Sequence, residues 1–261
     1  NFWNFRLEDL QFLLKKCLGT LRMVIINSPH NPTGVSFTQT QLNQIFELLE
    51  DLDEMPILFS DEMYTAILGE EGAAGPPSNA GRKNSIVLSG LSKPWGMPGE
   101  HFEKVVMLRD YTTMCLPHHS EILSMIALQE AETFLKRNRQ ICDENYRLLQ
   151  EFLLRMSDWF YPLVQEKQVQ AESPFPFRAS TVFPRLKHPL GGLGSALDAL
   201  ESPSSLAEHL ASEYSICMIV SEKFEFDCPA VRFGIGMSSF PKSLQMLEEA
   251  LNDIRSRAES A

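Results

Sequence analysis

Paired cysteines are the first thing this sequence lacks. Its five, Cys17, Cys115, Cys142, Cys217 and Cys228, are odd in number, widely scattered and free of any C-x-x-C spacing. A disulfide scaffold is therefore excluded, and the expectation is a reducing compartment, the cytoplasm, with thiols serving as small apolar fillers. Positive charge is also short. Lys and Arg number 23 against 34 Asp and Glu, and the net of −11 repels phosphate backbones and anionic lipid. Nucleic acid and membrane surfaces are poor partners for such a chain. No uninterrupted apolar run approaches the ~20 residues that a bilayer span needs, and there is no internal repeat or low-complexity tract. The opening Asn1-Phe2-Trp3-Asn4-Phe5 lacks the charged start of a signal or transit peptide, so the chain reads as the middle of a longer one.

What is present is ample apolar material: 44% of 261 residues are hydrophobic, enough to bury a core in more than one packing unit. Leu21 to Ile26 is a short apolar run ending in Asn27-Ser28-Pro29-His30-Asn31-Pro32-Thr33-Gly34, which predicts a buried strand and a rigid loop. Thr38-Gln39-Thr40-Gln41 has capping-box spacing, and Leu42, Ile45, Phe46, Leu49 and Leu52 follow at helical intervals. Pro56 to Ser60 predicts a second strand running into Asp61-Glu62-Met63-Tyr64. After a Gly/Pro-rich loop, Gly69 to Gly81, Ser85 to Leu88 predicts a third, running into Ser89-Gly90-Leu91-Ser92-Lys93.

Continuously apolar strands separated by helix or long loop predict an α/β fold with a mostly parallel sheet, its strands covered on both faces by flanking helices. From about Ser120 to Met156 the pattern predicts one long or kinked helix that bridges to a second domain. Glu166 to Phe177 reads as a linker. Short strands are expected near Ala179 to Phe183, Ile216 to Val220 and Ala230 to Ile235, alternating with helices around Ser205 to Glu213 and Pro241 to Ile254, where Leu244, Leu247, Leu251 and Ile254 share a face. The organisation expected is a partial large domain over 1–155 and a smaller α+β domain over 156–261.

Ligands of parallel sheets bind beyond the carboxyl ends of the strands. Three successive strands here end in polar groups: Asn31, then Asp61 and Tyr64, then Ser89 and Lys93. A partly desolvated lysine can lose its proton and attack an aldehyde to give an imine. An aspartate held against a protonated ring nitrogen keeps a heterocycle cationic and able to accept electrons. That division of labour is the one expected around pyridoxal phosphate. Blander roles stand beside these: Asp61 can cap a turn, Tyr64 can pack, Asn31 can serve the turn before Pro32, and Arg232 can be an edge-strand charge. His118-His119 has no second metal-ligand pair, Cys115 has no basic neighbour to make it a thiolate, and Glu47 to Glu54 reads as the solvated face of a helix.

At these residues the chain resembles the class I/II aminotransferases of the aspartate aminotransferase fold, the fold type I pyridoxal-phosphate enzymes. Asn27 to Gly34 is similar to the family's N-x-P-x-N-P-T-G, Asp61-Glu62-Met63-Tyr64 to its D-E-x-Y, and Ser92-Lys93-Pro94-Trp95-Gly96-Met97-Pro98-Gly99 to its lysine segment. The resemblance implies that Lys93 forms the Schiff base (internal aldimine) and shuttles the α-carbon proton. It further implies that Asp61 partners the pyridinium, that Tyr64 and Asn31 bind the phenolate oxygen, and that Ser89 or Ser92 touches the phosphate. Arg232, in Ala230-Val231-Arg232-Phe233-Gly234-Ile235, is similar to the residue whose planar fork grips the substrate carboxylate.

The activity implied is transfer of an amino group between an α-amino acid and a 2-oxo acid in amino acid metabolism, with dimerisation as the family's usual state. A lyase or cyclase of the same fold and a catalytically impaired remnant are the alternatives. Two departures bear on this. The family's N-terminal portion, with a glycine-containing phosphate loop and an aromatic stacked on the ring, has no counterpart in the chain. After Pro98-Gly99 the family's P-G-x-R-x-G is replaced by Glu100-His101-Phe102. Either His101 stands where the phosphate-binding arginine belongs, or, as we prefer, the arginine and its strand are deleted.

Overall fold

A computed structural model describes residues 5–17, 19–67, 78–95, 118–163, 180–187, 200 and 202–259. They fall into two compact units. One holds the described residues of Asn1–Asn31 and Val35–Gln140, the other those of Pro32–Gly34, Ile141–Gln165 and Ser180–Ala261. The Glu166 to Phe177 linker and most of the loop after Tyr64 lie outside the described residues, as do Cys115 and both readings of the segment after Gly99.

In the first unit, helix α1 (Leu7–Lys16) precedes strand β1 (Met23–Asn27), helix α2 (Gln39–Glu50), strand β2 (Ile57–Asp61) and strand β3 (Ser85–Leu88). Sequence reasoning passed over α1, although Glu8 and Asp9 in its first turn and Lys15 and Lys16 in its last complement the helix dipole. The α2 capping box forms as expected: Thr38 Oγ1 accepts the Gln41 N–H at 3.1 Å, and Gln41 Oε1 accepts the Thr38 N–H at 2.9 Å. The three strands are parallel in the order β1-β2-β3, aligned Met23 with Ile57, Ile25 with Phe59 and Asn27 with Asp61, and then Phe59 with Ile86 and Asp61 with Leu88.

That register sorts the side chains by alternation. Ile26 and Leu58 point into a core closed by Leu14 of α1 and by Ile45, Phe46 and Leu49 of α2. Each such burial contributes roughly 1.5–3 kcal/mol. The opposite face carries Met23, Ile25, Ile57, Ile86 and Leu88, all exposed; Ile25 is 69% exposed where Leu58 is 0%. The parallel sheet with flanking helices is as expected, and among the described residues α1 and α2 both pack on the same side of it.

Helix α3 (His118–Gln129) and helix α4 (Ala131–Arg155) replace the single long helix with a pair interrupted at Glu130, the kinked alternative. In the second unit, strand β4 (Thr181–Val182), helix α5 (Pro203–Tyr214), strand β5 (Ile219–Val220), strand β6 (Val231–Gly234) and helix α6 (Phe240–Glu259) form an α+β arrangement with antiparallel order β4-β6-β5. Its core is aromatic. Phe233 of β6 lies 6.2 Å from Phe152, 6.1 Å from Phe160 and 6.4 Å from Phe240, ring centre to ring centre. Leu244, Leu247, Leu251 and Ile254 of α6 are all buried, as their shared face required. Among the described residues no helix is long and apolar enough to cross a membrane.

Candidate active site

The carboxyl ends of β1, β2 and β3 are brought level by the register that pairs Asn27 with Asp61 and Asp61 with Leu88. Backbone bonds lock this edge: the Ser28 N–H donates to the Asp61 carbonyl at 3.0 Å, and the Glu62 N–H to the Leu88 carbonyl at 2.8 Å. The loops beyond are tied in turn. Thr65 Oγ1 donates to the Ser28 carbonyl at 3.1 Å, joining the turn after Tyr64 to the loop that carries Asn31. Asn27 Oδ1 accepts the Asn31 N–H at 2.7 Å, a turn bond made by the Asn27 side chain and the Asn31 backbone. Gly34, at φ +76°, supplies the left-handed residue that a side chain would strain.

Asp61 ends the central strand, half-buried. Its Oδ1 accepts the Met63 N–H at 3.1 Å, the Asx turn weighed against a chemical role. Its Oδ2 has no protein donor among the described residues, so capping leaves one carboxylate oxygen for a ligand. Tyr64 is buried, 6% exposed. Ser89 and Lys93 are exposed and Ser92 is half-buried, in the short turn that follows β3 and is closed by a Trp95 N–H bond to the Leu91 carbonyl at 3.2 Å. Among the described residues Lys93 has no carboxylate partner. His30 is half-buried, and desolvation holds its imidazole below the usual histidine value.

Arg232 belongs to the second unit. It sits on β6, the central strand of three, which sets aside the edge-strand reading, and it pairs across to Ile219. Its guanidinium lies 5.5 Å from the centre of the Phe224 ring, a cation–π contact that orients the fork.

One residue that sequence reasoning missed is Glu62. Its carboxylate, 6% exposed, accepts bonds from Ser60 Oγ at 2.9 Å, the Asn79 N–H at 2.8 Å and Ser78 Oγ. It pins the chain returning toward β3 to the end of β2. The available signal was an acid placed directly after a buried strand, where a charge needs donors.

Comparison with solved structures gives the class of fold first. The chain matches a PLP-dependent aminotransferase from Streptococcus suis with TM-score 0.71 and 24% identity, over 97% of this chain and 62% of that one. It matches the PLP-dependent cyclase OrfR with TM-score 0.68 and 19% identity, over 90% and 60%. The fold is that of the fold type I pyridoxal-phosphate transferases. Residues 1–159 match the family model for aminotransferase class I and II, and the chain belongs to that family. Histidinol-phosphate aminotransferase of Bdellovibrio bacteriovorus is 27% identical over 153 residues, 54% of this chain and 41% of that protein. The chain thus spans between two-fifths and about three-fifths of these relatives.

The family implies pyridoxal 5'-phosphate as cofactor. The described residues fit its ring: a half-buried carboxylate with one oxygen free of protein donors suits a protonated ring nitrogen, and an amine without an acid partner suits an aldehyde. For the phosphate, the segment 85–95 offers the Ser89 and Ser92 hydroxyls and contains no arginine.

Proposed function

We propose that this chain is the lysine-bearing part of an aminotransferase that moves an amino group between an α-amino acid and a 2-oxo acid. The observation that supports it most is the aligned strand edge, where Asp61 keeps one carboxylate oxygen free of protein donors between the loops that carry Asn31 and Lys93. Bound pyridoxal phosphate supplies an electron sink that stabilises negative charge at the substrate α-carbon.

The protein's part is position and proton transfer. Lys93 would hold the aldehyde end of the cofactor through Nζ and would move the proton at the substrate α-carbon. The Asp61 oxygen without a protein donor among the described residues would accept the ring N–H and hold the proton on that nitrogen. Tyr64 and Asn31 would donate to the phenolate oxygen, and the Ser89 or Ser92 hydroxyl would hold the phosphate. Arg232 takes the substrate carboxylate through two parallel N–H bonds. The division into 1–155 and 156–261, a homodimer and a cytoplasmic location belong to the same proposal.

One further reading has support of its own. The likeness to a PLP-dependent cyclase favours a lyase or cyclase, because the same lysine and ring chemistry serve elimination. A catalytically impaired remnant stands beside it as the third outcome. Assay of 2-oxo acid release from amino acid donors, with and without a second 2-oxo acid, separates the three. Release that requires the acceptor supports transamination, acceptor-independent product supports the lyase or cyclase, and cofactor binding without turnover supports the remnant.

A further inference from the structure

Two adjacent residues of α4 reach the two loops on which the proposed chemistry depends. Asn138 Nδ2 donates to the Pro94 carbonyl at 2.6 Å, one residue beyond Lys93. Arg139 Nη2 donates to the Ala66 carbonyl at 2.9 Å, two residues beyond Tyr64. All of these residues lie in the first unit. We propose that Asn138 and Arg139 are positioning residues that clamp the lysine turn and the tyrosine turn to one helix and thereby set where the Lys93 amine and the Tyr64 hydroxyl stand. The inference rests on the reading of Lys93 and Tyr64 given above.

Each turn needs such a partner. Among the described residues the turn at 91–95 makes one backbone closure, Trp95 to Leu91, and Pro94 brings no N–H of its own, so its carbonyl is the handle by which the lysine segment can be held. The short 3-10 turn Thr65–Ile67 closes through the Thr65 N–H on the Glu62 carbonyl and the Ile67 N–H on the Tyr64 carbonyl, both at 3.0 Å, and among the described residues the Ala66 carbonyl is taken by Arg139. The Arg139 side chain is committed to this bond. Among the described residues it has no carboxylate partner, and its buried Nε has no acceptor. A guanidinium that gives its hydrogen bond to a main-chain carbonyl forms a charge-assisted contact, stronger than a neutral one. Consecutive helix positions diverge by about 100°, so one rigid rod holds the two turns from neighbouring sides and fixes their spacing.

The test uses the full chain. Asn138→Asp keeps the shape and turns the donor into an acceptor facing a carbonyl; Arg139→Met keeps the length and removes the donor; Arg139→Lys is the conservative rescue. Amide hydrogen exchange at Trp95 and Ile67 is read without cofactor. Asn138→Asp is expected to speed Trp95 roughly tenfold while leaving Ile67 within about twofold, Arg139→Met the reverse, and Arg139→Lys to restore Ile67. With pyridoxal phosphate added, both disruptive variants should shift the pH midpoint of the Lys93-dependent visible band. Exchange unchanged at both amides, or accelerated equally at both by each variant, overturns the clamp. Lack of that band in the unaltered chain counts against the cofactor reading, while exchange alone still supports or overturns the clamp.

Discussion

The two three-stranded sheets of this protein differ in how they are covered. In the second unit the antiparallel sheet turns Val182, Val231 and Phe233 into a core shared with Phe152, Phe160 and Phe240, and all six are buried. In the first unit the parallel sheet buries Ile26 and Leu58 under α1 and α2 and leaves Met23, Ile25, Ile57, Ile86 and Leu88 exposed on the other face. Asp61 lies at the carboxyl edge of that open face, since alternation places it with Ile57 and Phe59. The contrast teaches that one sheet carries its own core, whereas the chemical edge belongs to a sheet that, among the described residues, has helices packed on one face and exposed apolar side chains on the other. A contiguous exposed apolar face is uncommon on a protein standing alone.

The largest expected effect lies in the second unit. Phe160→Ala removes a ring in contact with two other aromatics and should cost about 3–5 kcal/mol, read by denaturant unfolding with exchange resolved by segment. Loss of protection should appear in β4, β6 and α6; unchanged protection there would show that these rings do not form the core of that unit. Next, Asn145 of α4 is buried and donates to the carbonyls of Ile235 and Met237 at 2.8 Å each, fixing the chain just past β6. Asn145→Leu leaves both carbonyls without that donor and should cost about 1–3 kcal/mol. A neutral result would mean that water replaces it.

The histidine part of the pH response should belong to the first unit, whereas the carboxylates with lowered pKa, Glu248 and Asp253, lie in the second. Burial lowers the His30 pKa, so the folded form takes up a proton later than the unfolded chain as pH falls. Stability is therefore fully present above the ordinary histidine value of 6.5, declines as pH drops through it, and levels off below His30's own lower value. His30→Asn should flatten that part of the profile of thermal midpoint against pH, and an unchanged slope would assign the effect elsewhere. The smallest effect on stability is expected at Ile25. On an open face Ile25→Thr should change folding by no more than about 0.5 kcal/mol while reducing the binding of a hydrophobic dye. A cost like that of a core truncation would mean that something covers this face in solution.

Much of this was legible in the residues because local signals and tertiary demands agree. The Thr38 to Gln41 capping box with Leu42, Ile45 and Leu49 behind it, and the Leu244 to Ile254 face, each satisfy their own local chemistry and a buried surface at once. The chemical edge could be read from where polar residues follow apolar runs, though not which strands pair or in what register. Helix α1 was missed because its signal is carried by end charges and lacks a capping side chain. Glu62, Asn138 and Arg139 have no distinctive spacing; their partners are main-chain and side-chain groups far along the chain, and only folding brings them together.

The most direct test of the chemical account is reductive trapping. The full chain is incubated with pyridoxal 5'-phosphate, reduced with borohydride, digested and mapped by mass spectrometry. The account predicts one labelled site, Lys93, lost in Lys93→Ala and weakened in Asp61→Ala. Label spread over surface lysines, or none at saturating cofactor, would contradict it.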